Sequence, residues 1–354
     1  MGTELSCGVK FMKFSSRKLM ALALAVLGIG MAVFQGARSA ALDNSRWGAN
    51  YFPNVELITQ DGKKVKLYDD LLKGKIVAVN MIYTRCVDSC PLETARLAQV
   101  QRYLGDRMGK DIFFYSITLD PKHDTPEVLK DYAEKYHAGP GWLFLTGKKD
   151  DIDLVSKKLG LYSDPDPNNR DGHTPGLLVG NESTGQWMRN SATDNPRFLA
   201  TMLGDFMDPH KDPTKQTRAS YNQAKPMDFD KGQYFFSTRC AACHSVGQGD
   251  KIGPDLIGVT SVRDPKWLTR FIMMPDKMLE EKDPIATALF EQYKKVLMPN
   301  LRMGDQDTAA IIDYLARVTA ARDKMMKEPG STTAEPAGSS EKMSSQSGQA
   351  AQRH

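Results

Sequence analysis

Apolar residues in the first part of the chain fall into two alternating rhythms. Residues 75–83 read Lys-Ile-Val-Ala-Val-Asn-Met-Ile-Tyr, a short run rich in β-branched side chains, and residues 111–119 repeat the type as Asp-Ile-Phe-Phe-Tyr-Ser-Ile-Thr-Leu. Both predict strands. After the first run, Leu92, Ala95, Leu97, Ala98, Val100 and Leu104 recur at helical spacing. Pro91 stands where a first helical residue has no use for its N–H. A second helix is predicted over 125–136, with Thr125 as N-cap and Pro126 behind it. A short strand at 142–146 and a helix at 150–159 follow. Residues 163–172, rich in Pro, Asn and Asp, form a loop. Two hairpins flank this series, one through Gln60-Asp61-Gly62-Lys63 joining 55–59 to 64–67, the other joining 177–180 to 186–189. A helix at 196–206 closes the unit. Residues 41–54 read as an extended lead-in. The pattern predicts an α/β domain of thioredoxin type over 51–207.

From 208 to 226 the chain is polar, carries three prolines and has no apolar period, which marks a linker. A smaller unit, 227–321, shows helical patterns near 229–238, 265–274 and 305–318, Gly-Pro loops and no strand, hence an all-α domain. Residues 322–354 turn to Ser, Gly, Gln, Glu and Ala and predict a disordered tail. At the other end, Lys10, Lys13, Arg17 and Lys18 precede an uncharged stretch at 19–34 and the small residues of Ala37-Arg38-Ser39-Ala40-Ala41. Residues 1–41 therefore read as a signal peptide or, if retained, as a membrane anchor. The run is short against the roughly 20 residues of a spanning helix. Either way the remainder is expected outside the cytoplasm, in the periplasm or on the periplasmic face of the inner membrane.

Composition narrows the function classes. Hydrophobic residues make up 41% and charged residues 25% of the 354, ordinary for a soluble chain. A net charge of +4, from 47 basic and 43 acidic residues, gives no case for nucleic acid.

The five cysteines are the informative residues. Cys7 precedes the apolar N-terminal stretch and is incidental. Cys86 and Cys90 lie on the strand-to-helix loop, the second beside the helix N-terminus, where unpaired N–H groups and the helix dipole favour a thiolate. Three residues separate the two sulfurs, which allows a disulfide or a shared metal ion. Cys240-Ala241-Ala242-Cys243-His244 is a Cys-x-x-Cys-His run, the pattern of covalent haem c attachment with His244 on the iron. A zinc half-site is the alternative, but it needs two further ligands, and the unit has no other Cys or His. The second iron ligand then falls to a methionine. Met298, followed by Pro299 on a loop before the last helix, is the first choice and Met303 the second; Met273, Met274 and Met278 read as core filler.

A metal between Cys86 and Cys90 wants a third donor. His123 and His137 read as surface residues. His173 lies where the long loop returns to a strand, and two thiolates with an imidazole suit copper, above all Cu(I). Asp88 and Asp120 either tune the thiols or contact a partner, or serve as loop and turn residues.

Two resemblances add to this reading. Residues 229–319, through Cys240, Cys243, His244, Gly253-Pro254-Asp255-Leu256 and Met298, resemble a class I cytochrome c. That resemblance implies that the Pro254 carbonyl accepts a hydrogen bond from His244 and fixes its orientation. Residues 51–206 resemble the Sco/SenC family of copper-binding, thioredoxin-fold proteins that help assemble cytochrome oxidase. The resemblance rests on Phe52-Pro53-Asn54-Val55, Thr59-Gln60-Asp61-Gly62-Lys63, the Cys86/Cys90 loop, Leu119-Asp120-Pro121, Asp124-Thr125-Pro126-Glu127 and His173. It implies copper held by Cys86, Cys90 and His173; the family places Asp directly before the His, whereas here Gly172 separates Asp171 from His173. The implied function is a copper metallochaperone for the copper-centre subunit of cytochrome oxidase, or another copper acceptor, with haem c exchanging electrons with a redox partner. Two alternatives stay open: a thiol-disulfide oxidoreductase cycling Cys86 and Cys90, and an electron carrier whose first domain is a docking module.

Overall fold

The computed structural model describes residues 47–162, 176–208, 210 and 230–327. The predicted leader, the 163–175 loop with His173, almost all of the linker and the tail beyond 327 lie outside the described residues.

The first domain is one seven-stranded sheet. Its strands are β1 (Glu56–Thr59), β2 (Lys64–Lys66), β3 (Ile76–Ile82), β4 (Ile112–Thr118), β5 (Trp142–Gly147), β6 (Leu177–Asn181) and β7 (Gln186–Asn190), in the order β2-β1-β5-β4-β3-β6-β7. The three central strands β5, β4 and β3 run parallel, and the outer pairings are antiparallel. Parallel neighbours require crossovers. Here α1 (Cys90–Leu104) joins β3 to β4 and α2 (Pro126–Lys135) joins β4 to β5. The helices α3 (Lys149–Leu159) and α4 (Pro196–Thr201) complete the unit.

Every residue of β3 is buried, because both faces of the sheet are covered. Ile76, Ala78 and Ile82 pack with α1, α2 and α4, whereas Val77, Val79 and Met81 pack with α3 and the helical turn Leu67–Leu72. The lead-in is less extended than its sequence suggests. Trp47, Tyr51 and Phe52 form an aromatic group with Trp187 of β7, the Phe52 and Trp187 rings centred 4.6 Å apart.

The second domain is helical among its described residues: α5 (Lys231–Phe235) running into a wide turn to Cys240, α6 (Val259–Val262), α7 (Pro265–Met273), α8 (Pro275–Glu280), α9 (Pro284–Gln292) and α10 (Asp305–Lys327). Of these, α6, α8 and α9 are absent from the sequence-based expectation. The signal for α9 exists: Asp283 caps it and Pro284 follows, the same Asp-Pro start that opens α7 at Asp264. The last helix extends to Lys327, past the predicted onset of the tail at 322; its final turns are exposed and rest on helix-forming residues. The helices α5 and α10 cross at Gly232, where an added Cβ would lie 2.1 Å from the Ala310 carbonyl oxygen. Phe236, Met303, Ile311 and Leu315 fill the space below that crossing.

Candidate metal and haem centres

Cys86 ends a turn after β3, and Cys90 is the first residue of α1. Both are reduced and buried, at 1% and 0% exposure. They share a hydrogen bond between their sulfurs, and it distributes the protons unevenly. The Cys86 thiol is brought down to about 7, first by the Cys90 side chain. Burial opposes this, while the N–H groups of Cys90 and Asp88 and the Tyr83 side chain assist. Burial pushes Cys90 well up, and its neighbour Cys86 adds to the effect. The sequence-based expectation put the thiolate at the helix N-terminus. The structure moves it to Cys86, since Cys90 is too deeply desolvated for the helix dipole to prevail.

The loop is pinned from below by a residue that pattern reasoning passed over. Asp124 is fully buried and accepts hydrogen bonds from the Thr84 N–H at 3.1 Å, the Thr84 hydroxyl at 2.5 Å and the Thr118 hydroxyl. It thereby ties the start of the cysteine loop to the end of β4. Beside it, Asp120 accepts from Arg85 at 2.8 Å and pairs with His123. Burial acts to raise the Asp120 pKa, but His123 and Arg85 outweigh it and lower the group overall. His123 is surface-exposed as expected, and His137 follows α2 in the left-handed region at φ 56°.

In the second domain, Cys240, Cys243 and His244 open onto a largely apolar cavity of about 300 Å³. Pro254, Leu256, Phe271 and Met298 are among its walls. The His244 Nδ1 lies 2.9 Å from the Pro254 carbonyl oxygen, so Nδ1–H is the donor and Nε2 is left for a ligand. Burial lowers the His244 pKa against that bond, which favours the neutral, ligating ring. Gly253 makes room for it: a Cβ there would meet the ring Cε1 at 2.7 Å. Met298 shares the cavity with His244, whereas Met303 is packed in the core with Phe236 and Ile311. A cavity of this size and polarity, with two thiols and a neutral imidazole on one wall and a thioether among the others, fits a haem.

The two centres meet. The Asn300 N–H donates to the Val87 carbonyl at 2.9 Å, inside the cysteine loop, and Arg302 pairs with Asp88 at 3.0 Å. Asp88 therefore contacts a partner within the same chain. Val296 and Leu297 line the haem-sized cavity and also a second cavity, about 130 Å³, that contains Cys86, Tyr132 and Tyr136. Residues 296–297 thus form a shared wall between the cysteine loop and the cavity of His244. Lys294, Lys295 and Arg302 bracket this segment at φ of 55°, 58° and 52°. Such left-handed non-glycine residues cost roughly 1 kcal/mol each and persist where packing enforces them. His173, the third donor expected from the sequence, lies outside the described residues, and no group of three metal-ligating side chains occurs among those described.

Comparison with known proteins agrees with this division. A SCO1/SenC family model matches residues 44–184, and a cytochrome c family model matches residues 229–319. An SCO2-like protein of Rickettsia felis is 33% identical over 132 residues, 36% of this chain and 60% of that protein's length. A protein of Stutzerimonas stutzeri, described as "Putative copper-binding protein", is 30% identical over 149 residues, 41% of this chain and 70% of its own length. Among solved structures, copper-bound ScoI of Bradyrhizobium japonicum is 26% identical, covers 42% of this chain and 94% of its own, and superposes with a TM-score of 0.36.

Proposed function

The chain belongs to the SCO1/SenC family through its first domain and carries a cytochrome c domain after it, and from that premise we propose that it is an exported copper-handling redox protein. Its task is to deliver copper during cytochrome oxidase assembly, with a covalently attached haem c as one-electron partner. The observation that carries this reading is the pair of buried, mutually hydrogen-bonded sulfurs of Cys86 and Cys90, walled on one side by the segment leading to Met298. Two adjacent sulfurs, one near its thiolate form, are soft donors that select Cu(I) over harder ions. His173 completes the donor set in this proposal. The basic, apolar and small-residue order of residues 1–41 supports export.

Each chain residue has a defined part. Cys240 and Cys243 would anchor the haem, the Pro254 carbonyl holds the His244 ring through Nδ1 and so leaves Nε2 free to bind the iron, and Met298 would supply the second iron ligand. Haem c held this way supplies one-electron transfer without an open iron position. A one-electron centre matches the Cu(II)/Cu(I) couple directly, whereas reduction of a disulfide takes two electrons.

A specific observation favours a second reading, thiol-disulfide exchange. Cys86 near 7 and Cys90 well above its ordinary value have the asymmetry of an attacking and a resolving thiol. The experiment is an anaerobic Cu(I) titration of the full chain against a chromophoric chelator. About one Cu(I) per chain is expected, lost in Cys86→Ser. Tight binding retained by the Cys86→Ser, Cys90→Ser double variant would overturn the copper site. His173→Ala separates the readings: lost copper delivery with disulfide reduction intact supports delivery, and the reverse result refutes it.

A further inference from the structure

Helix α1 of the first domain brings a buried positive charge to the loop that carries Cys240 and Cys243. Arg96 is 3% exposed. Its Nη2 donates to the Thr238 carbonyl at 2.7 Å, two residues before Cys240, and its Nη1 donates to Gln99 at 2.9 Å. The Nε finds no acceptor, and among the described residues Arg96 forms no ion pair. Gln99 in turn donates to the Ala241 carbonyl at 3.2 Å, between the two haem cysteines. Two further cations stand close. Lys251 reaches the same Ala241 carbonyl at 3.3 Å, and Arg102, one helical stretch on from Arg96, adds to the burial that lowers the Lys251 pKa. Of the acidic groups nearby, Glu93 is buried on α1 one turn before Arg96 and forms no ion pair with it, while Asp250 and Asp255 come from the cytochrome domain and are bound to Tyr293 and to backbone N–H groups.

A buried guanidinium held by carbonyl and amide oxygens, with no ion pair, is costly to keep. Its position has an electrostatic consequence. The iron site carries one more positive charge in the ferric than in the ferrous state, so a fixed cation nearby favours the ferrous state. A unit charge about 10 Å away in an effective dielectric of about 20 shifts such an equilibrium by roughly tenfold.

We propose that Arg96 couples domain docking to redox poise: by seating its buried charge against the Thr238–Cys243 loop, the first domain raises the reduction potential of the haem. Undocked, the haem is the weaker oxidant; docked beside the cysteine loop, it is the stronger one. The inference rests on the reading that haem c is held at Cys240 and Cys243.

The test is spectroelectrochemical titration of the full chain, matured with covalent haem, for the parent, Arg96→Met and Arg96→Lys. The haemochrome spectrum is recorded first, and a parent without covalent haem removes the haem reading, and this inference with it, before any potential is measured. With haem in place, Arg96→Met is expected to lower the ferrous-to-ferric ratio at a fixed potential by about tenfold, or 59 mV for a one-electron couple. Arg96→Lys, which keeps the charge but not the fork of hydrogen bonds, is expected to recover most of that loss. An unchanged ratio in Arg96→Met overturns the proposal. Equal losses in both variants also overturn it, since they would trace to the missing bonds and not to charge. If Arg96→Met fails to accumulate, Arg96→Gln is read by the same criteria.

Discussion

Removing the Asp124 carboxyl tests whether the cysteine loop is held in place from beneath. Asp124→Ala deletes the acceptor of one backbone N–H and two hydroxyls; Asp124 and Thr118 are fully buried and Thr84 is half-buried. The Thr84 N–H loses its acceptor, and an unmet donor in such a setting costs about 1–3 kcal/mol. The Thr84 and Thr118 hydroxyls can rotate, so their loss adds less, and the small cavity adds about 1 kcal/mol. A total near 3 kcal/mol is expected in denaturant unfolding. Because Thr84 stands two residues before Cys86, the freed loop must be ordered again when copper binds. Outer partners of a metal site are typically worth 10–100-fold in affinity, and the Cu(I) dissociation constant is expected to rise by about that factor. Asp124→Asn, which keeps one acceptor oxygen, should fall between the two. An Asp124→Ala protein with parental stability and parental Cu(I) affinity would refute the argument. Lost stability with unchanged affinity would show that the network supports the sheet and not the loop.

Two further predictions concern the cytochrome domain. Gly253→Ala places a methyl group 2.7 Å from the His244 ring. The ring should swing away from the Pro254 carbonyl, seen as a partly high-spin haem spectrum and a loss of about 1–3 kcal/mol in stability; an unchanged spectrum counts against the Nδ1 bond as the orienting contact. Burial acts to raise the Asp255 pKa, but the N–H groups of Gly247, Ile257 and Gly249 outweigh it and take the group down to about 2. A depressed carboxyl stabilises the fold above its unfolded value near 3.9 and loses that contribution as pH falls toward 2. After discounting for its partial exposure, about 1 kcal/mol should disappear over that window. Asp255→Asn should flatten this part of the acid-unfolding curve, and an equally steep curve would contradict the assignment.

Much of the first domain is legible because its signals are local. The run at Ile76–Ile82 is apolar at every position but Asn80, and only a strand covered on both faces uses such a run. Pro91 and Pro126 mark helix starts by a fixed geometric rule. Cys240, Cys243 and His244 are legible because the Cys-x-x-Cys-His spacing is itself the signal. What stayed hidden depends on distance along the chain. Arg96 meets Thr238 across 142 residues, and Asp88 meets Arg302 across 214. Neither contact leaves a periodic trace. The contrast between the two thiols is hidden for a related reason: the helix dipole can be inferred from local sequence, but depth of burial is a property of the packed molecule. Asp124 sits in a turn-like Asp-Thr-Pro string that reads as a helix start, and its role appears only once β3 and β4 are side by side.

The docked geometry sets limits on how the proposed functions can coexist. Cys86 and Cys90 are buried, Cys86 faces residues 295–297 across the small cavity, and Asn300 and Arg302 bond to the same loop, so in the proposed reading an acceptor meets the sulfurs only once this segment moves. The bonds that hold it are modest. The Arg302–Asp88 pair leaves the arginine side chain 62% exposed, and such pairs contribute about 0–1 kcal/mol. The Asn300–Val87 and Gln99–Ala241 bonds contribute about 1 kcal/mol each. Left-handed Lys294, Lys295 and Arg302 oppose closure by a similar amount, and the buried Arg96 guanidinium adds a desolvation cost that opening relieves. Apolar contacts add to the attraction: Ala242, Ile252, Cys243, Val296 and Leu301 share one cluster with the buried core of the first domain, and Arg96 donates to the Thr238 carbonyl. In the proposed reading, electron exchange uses the closed form, where residues 296–297 are the shared wall, and metal transfer requires this segment to move. If both proposed functions hold, this one interface keeps the two events apart in time.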